Sequence, residues 1–122
     1  MIGIGVDVVD IDRFRSSLER TPSMRTRLFT ATELAFVASQ VDPVPSLAAR
    51  FAAREAVMKA LGLGLGAFGF HDVWVQRAES GAPSLVVSGT AAELAAGAGV
   101  VRWHLSLTHS DLVAAAYVIA ES

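Results

Sequence analysis

The sequence predicts an α+β fold with a mostly antiparallel sheet and packed helices. Three observations carry this. Two-residue alternation of apolar and polar positions marks the amino terminus, a hairpin near the middle and the carboxyl-terminal segment. Helix-period segments with caps and Gly/Pro punctuation fill the intervals, and the paired strands are joined by tight turns. At 122 residues and 12.8 kDa the chain makes one domain, 1–122.

Ile2, Ile4, Val6 and Val8 alternate with Gly3, Gly5, Asp7 and Val9, a strand with two glycines and a carboxylate on its second face. Asp10 caps a helix on which Ile11, Phe14 and Leu18 share one side, and Pro22 ends it. A short basic stretch (Arg20, Arg25, Arg27) precedes a helix from about Thr30 to Ser39. Asp42-Pro43-Val44-Pro45-Ser46 punctuates the chain before its clearest helix, Ser46–Leu61. Gly62 stands where a left-handed cap is wanted, and Gly64, Gly66 and Gly69 loosen the loop beyond. Asp72–Ala78 and Ser84–Ser88 form a hairpin about Ser80-Gly81-Ala82-Pro83. Thr90 caps a short helix, Thr90–Ala98, ended by Gly97 and Gly99. Arg102–Thr108 and Leu112–Ala120 are the last strands, around a tight Ser110-Asp111 connection.

Composition narrows the function classes. The net charge of −2 offers no basic excess for nucleic acid. The absence of cysteine excludes a disulfide framework, thiolate zinc, an iron–sulfur cluster and a cysteine nucleophile. The longest apolar run, Leu112–Ala120, falls far short of a membrane span, and acids rather than bases open the chain, unlike a signal peptide. A cytoplasmic protein is expected. An apolar content of 52% is high for so small a domain, and burial between subunits would relieve it.

The helix Ser46–Leu61 holds the most chemistry. Leu47, Phe51, Met58 and Leu61 make a core stripe, yet Arg54 falls in its middle and Arg50 lies one turn before. A cation there costs stability unless it is paired or reaches water or an anion. Glu55 and Lys59 sit one turn apart on an adjacent face. They read either as an ordinary i,i+4 pair worth about 0.2–0.5 kcal/mol, or as a carboxylate for a hard cation beside cations for phosphate. Asp7 has the same two readings, a helix cap or a metal ligand, and Asp10 is better placed to cap. One carboxylate from a strand and one from a helix, completed by waters and phosphate oxygens, is how Mg²⁺ is commonly held. His104, Ser106 and Thr108 share one face of the Trp103–Thr108 strand, either a solvated face or the wall of a polar pocket. The loop Gly62–Gly69 lacks the Gly-Lys-Ser/Thr ending of a P-loop.

Together the segments Gly3–Ile11, Leu47–Gly62, with its Arg54-Glu55-Ala56-Val57-Met58-Lys59, and His104–His109 with Ala114–Glu121 resemble the holo-acyl-carrier-protein synthases. These are small, bacterial, trimeric 4′-phosphopantetheinyl transferases. Leu28-Phe29-Thr30-Ala31-Thr32-Glu33 and Gly81-Ala82-Pro83 extend the resemblance nearly end to end. It implies transfer of 4′-phosphopantetheine from coenzyme A to a serine of apo acyl carrier protein, with release of adenosine 3′,5′-bisphosphate. By position, Asp7 and Glu55 match the family's Mg²⁺ carboxylates, and Lys59 matches the lysine facing the pyrophosphate; these three are the expected catalytic set. Arg50, Arg54, Gly62, Gly64, His104, Ser106 and Thr108 are the expected coenzyme A neighbours beside Lys59. Arg13 and Arg20 match the basic helix that meets the carrier protein, and the resemblance implies a homotrimer with active sites between protomers. Arg54 stands where the family usually has Lys, and unlike Lys it is forked and permanently charged. The rival reading is a non-catalytic module that binds coenzyme A or the carrier protein.

Overall fold

The structure is a computed structural model covering residues 1–122. It contains β1 (Gly3–Asp10), α1 (Ile11–Arg20), α2 (Met24–Leu28), α3 (Ala31–Val37), α4 (Val44–Ala60), β2 (Val73–Arg77), β3 (Pro83–Val87), α5 (Gly89–Gly97), β4 (Arg102–His109) and β5 (Val113–Glu121), with a single 3₁₀ turn at Phe70–Asp72 before β2. All strand pairing is antiparallel, in two sheets: β1-β5-β4, and the β2-β3 hairpin.

The helix α4 organises the core. It is buried almost all round rather than along one stripe, because it lies between the three-stranded sheet, the hairpin and α1. Its alanines Ala48, Ala52, Ala53 and Ala56 are fully buried, and small side chains let the neighbouring backbones approach. The closest approach is to β1. A Cβ on Gly5 would strike the carbonyl of Ala56, and one on Gly3 the carbonyl of Ala60. The glycine face of β1 is therefore the packed face. The apolar row of the same strand points outward, with Ile4, Val6 and Val8 each exposed. Residue-by-residue hydrophobicity points to the opposite choice.

Local signals otherwise act where the sequence puts them. The Asp10 carboxylate accepts from the Arg13 amide, capping α1, and Thr30 and Glu33 form a capping box at α3. Gly62 adopts φ +70° beyond α4. The Leu63 amide donates to the Met58 carbonyl (2.8 Å) and the Gly62 amide to that of Lys59 (3.0 Å), a Schellman closure. Three expectations need correction. The basic stretch after Pro22 is helical (α2), held by Leu28 and by His71, whose Nε2 donates to the Thr26 carbonyl. The central helix starts at Val44, with Pro45 in its first turn, where a missing amide costs nothing. Thr90 does not cap α5: Ser88 occupies the cap position, and the Asp72 carboxylate accepts from the Ala91 amide.

Candidate active site

The mutual placement of β1 and α4 builds the first cluster. Since Gly3 and Gly5 face α4, alternation aims Asp7 to the same side, and the side chain emerges beside the last turns of the helix. Lys59 reaches across to donate to Asp7 Oδ1 (3.1 Å) and to the Val6 carbonyl (3.0 Å). Lys59 therefore pairs with the strand carboxylate and not with Glu55, so the simple i,i+4 pair is not formed. Glu55 makes no ion pair or hydrogen bond. Burial holds its carboxyl above the usual range, the charge of Asp7 pushes it further up, and Lys59 offsets part of this. An unpartnered, half-buried carboxylate repelled by a second one is costly for a fold to keep.

Arg54 lies inside the fold. Its guanidinium is fully buried and forked onto Glu33, with Nη1 to Oε2 at 3.0 Å and Nη2 to Oε1; Nε donates to the Phe70 carbonyl (2.8 Å). Glu33 also accepts from the Thr30 amide and hydroxyl and from the Val75 amide. Glu33 matches the Arg54 charge inside the fold, and the pair ties α3, α4 and β2 together. Lysine could not make this fork, which is why the substitution matters structurally.

Arg50 is also buried, but differently. Its Nη1 donates to the Ser46 carbonyl (3.1 Å), its guanidinium lies 4.8 Å from the centre of the Phe36 ring, and its Nε has no partner. Arg77 lies over the same ring at 5.7 Å. Burial lowers the Arg50 pKa; Glu33 raises it, and Arg77 and Arg54 lower it further. Sequence reading passed over Phe36 and Arg77; their signal is an exposed aromatic and an arginine distant in sequence, which only the fold joins. Arg50 and Glu55 are five positions apart, about 140° around α4, so they do not share a face.

His104, Ser106 and Thr108 line one face of β4 as expected, and all three are exposed. Register fixes which face. His104 lies opposite Ile119, which lies opposite Ile4, whereas Gly3 aligns with Ala120 and Trp103. They are thus on the outer side of the sheet, opposite the side from which Asp7 projects, and with β5 between. One chain does not bring them to Asp7 and Glu55. Gly64 borders open space in the loop after α4. Arg13 and Arg20 are exposed on α1, flanking a shallow groove with Asp12, Ser16 and Ser17, while Arg15 is engaged by Asp42 in a two-pronged pair (2.9 and 2.7 Å).

Comparisons with known proteins show the family. Residues 3–120 match the model of the 4′-phosphopantetheinyl transferase superfamily. The holo-acyl-carrier-protein synthase of Streptomyces avermitilis is 52% identical over 122 residues, covering 99% of this chain and 98% of that protein. That of Micrococcus luteus is 47% identical, covering 99% and 92%. Among solved structures, the Neisseria meningitidis holo-acyl-carrier-protein synthase superposes with a TM-score of 0.90 at 30% identity, covering 100% of this chain and 99% of that one. The Bacillus anthracis enzyme in complex with coenzyme A superposes with a TM-score of 0.83 at 31% identity, covering 99% and 96%. With the fold, the paired carboxylates and full-length similarity in agreement, the chain belongs to the 4′-phosphopantetheinyl transferase superfamily, among the holo-acyl-carrier-protein synthases.

Proposed function

We propose that this enzyme transfers 4′-phosphopantetheine from coenzyme A to a serine of apo acyl carrier protein, releasing adenosine 3′,5′-bisphosphate, and that one 122-residue domain carries the chemistry. The observation that carries the reading is the Asp7–Glu55–Lys59 cluster on a chain similar throughout to these synthases. Two crowded carboxylates, one without a partner, suit a hard divalent cation, which takes oxygen ligands and leaves positions for water and phosphate. Asp7 and Glu55 would hold Mg²⁺. When bound, it supplies neutralisation of charge on the pyrophosphate oxygens.

The chain's own groups do the rest. The serine oxygen bonds to the phosphorus that carries pantetheine, and the bond from that phosphorus to the bridging oxygen breaks, so the bisphosphate departs with the electron pair. Lys59, anchored by Asp7 and the Val6 carbonyl, is half exposed and offers its ammonium to the pyrophosphate. Glu55 directly, or a metal-ordered water, would take the serine proton. Gly62 and Gly64, which follow Lys59 in the chain, are assigned to the ligand's path. Arg50, with an unpartnered Nε in a cation-rich corner relieved only by Glu33, is assigned to the anionic nucleotide end.

His104, Ser106 and Thr108 are assigned to the nucleotide of coenzyme A bound to a neighbouring copy. Support comes from the outer sheet face, where Ile4, Val6, Val8 and Tyr117 are exposed side by side, a surface suited to burial in a homotrimer. Arg13 and Arg20 would meet the acidic carrier protein. No helix is long and apolar enough to cross a membrane, and a cytoplasmic location belongs to the same proposal.

Intact-mass spectrometry of apo acyl carrier protein with this protein, coenzyme A and Mg²⁺, beside an EDTA control, tests the reading. A gain of one phosphopantetheine group, abolished by EDTA, is expected. Asp7→Ala and Glu55→Ala should each lower the rate by about 10²–10³-fold, the scale for removing one preorganised electrostatic group. A folded protein that binds coenzyme A yet modifies no carrier would be a binding module instead.

A further inference from the structure

One carboxylate outside the catalytic cluster has a defined partner on the substrate side. Glu121 ends β5, and cross-strand register sets it opposite Arg102. Its Oε2 lies 2.8 Å from His104 Nε2 and 3.5 Å from Arg102 Nη2. The hydrogen bond from His104 is the largest influence and holds the Glu121 carboxyl below the usual range; burial opposes it, and the charges of His104, Arg102 and the amino terminus add to it. The carboxylate is then an acceptor only, and the contact requires a proton on Nε2 of His104. The free nitrogen of the ring is therefore Nδ1. The outer sheet face supplies no other protein hydrogen bond to this ring.

We propose that Glu121 is a positioning residue for coenzyme A recognition: it fixes the ring of His104 in the Nε2–H form and turns Nδ1 toward the nucleotide. A carboxylate behind an imidazole sets both tautomer and ring orientation, and where the ring holds a metal, loss of such a partner costs about 10–100-fold in affinity or activity. The two-residue alternation of β4 places His104, Ser106 and Thr108 in a row, and Glu121 braces the end member, which is the one with rotational freedom at its ring. This inference rests on the assignment of His104 to the nucleotide, and the experiment separates the two.

Steady-state kinetics with coenzyme A varied, on the wild type, Glu121→Ala, Glu121→Gln, Arg102→Ala, His104→Ala and the Glu121→Ala/His104→Ala double variant, is paired with nitrogen-15 spectra of the imidazole rings in the free protein. Glu121→Ala should raise KM for coenzyme A by about tenfold with kcat little changed, on the scale of a lost orienting partner. Glu121→Gln, which keeps an acceptor, should stay near the wild type, as should Arg102→Ala. The double variant should match His104→Ala alone, and the nitrogen-15 shift of His104 Nε2 should move only when the acceptor is removed. A normal KM in Glu121→Ala beside a raised KM in His104→Ala would overturn the positioning role and leave the His104 assignment standing. An additive double variant, or an unchanged Nε2 shift in Glu121→Ala, would overturn it too. A normal KM in His104→Ala would remove the underlying assignment itself.

Discussion

At the scale of single residues, the sequence makes charge type and spacing legible but not partners. Asp7 and Glu55 stand out because a carboxylate in an apolar strand and one beside a core stripe both call for an explanation, and the fold brings them together. Arg54 stands out equally, but its partner Glu33 could not be read locally, because it lies 21 residues away on α3, beyond any helical repeat. Lys59 likewise spends its charge on Asp7 rather than on Glu55, four positions back. The unpartnered state of Glu55 yields a prediction with a definite sign. Its folded pKa lies above the unfolded value of about 4.3, so the folded state binds that proton more readily than the unfolded state does. In metal-free protein, stability therefore falls as pH rises from about 4.3 through the folded value, and ionised Glu55 is a liability at neutral pH. Glu55→Gln should have a higher Tm than the wild type at pH 7 in EDTA, with the gap closing toward pH 4. Added Mg²⁺ should raise Tm for the wild type and not for the variant. A Glu55→Gln protein less stable than the wild type in EDTA would mean that the carboxylate is a structural group.

At the scale of elements, helices are more legible than strand faces. Capping residues, Gly62 and the Ile11/Phe14/Leu18 stripe act locally and can be read locally. The two faces of β1 cannot be assigned from periodicity, because alternation says only that the faces differ. Glycine decides here by its lack of a side chain: α4 approaches so closely that only Gly3 and Gly5 fit under the carbonyls of Ala60 and Ala56. The cap of α5 was illegible for a related reason, since its acceptor, Asp72, sits 19 residues before the amide it serves. Close approach also positions the site, because it sets how far Asp7 stands from Glu55 and Lys59. Gly5→Ala should therefore destabilise by about 3 kcal/mol or more, at or above the usual range for overpacking, because the obstruction is backbone and cannot rotate away. Urea unfolding measures this. Whatever folded fraction remains should bind Mg²⁺ more weakly, whereas Gly64→Ala, in open space, should leave stability unchanged within about 0.5 kcal/mol.

At the scale of the whole molecule, the expected site residues fall into groups that one chain keeps apart. Asp7 and His104 project from opposite sides of the β1-β5-β4 sheet. High apolar content hinted at assembly, and the exposed row Ile4, Val6, Val8 and Tyr117 gives the hint a location. Which residues a neighbour contributes is not legible in one sequence, because symmetry is a property of the assembly. Subunit mixing converts this into a measurement. Asp7→Ala subunits lack the Asp7 carboxylate but keep His104; His104→Ala subunits have the reverse defect. If each site took both residues from one chain, every site in a mixed assembly would carry a defect, and mixing would restore nothing. If Asp7 comes from one subunit and His104 from its neighbour, a random one-to-one mixture forms about one quarter of its sites with both residues intact. Co-expressed and assayed at low coenzyme A, where a defective His104 limits binding, the mixture should recover about a quarter of wild-type activity beyond the sum of the two parents. Placing a carboxylate at Tyr117 in both parents should abolish the recovery, because a charge buried between copies opposes assembly while leaving the exposed face of the single chain soluble. Recovery that survived Tyr117→Glu would assign the complementing contact to another surface.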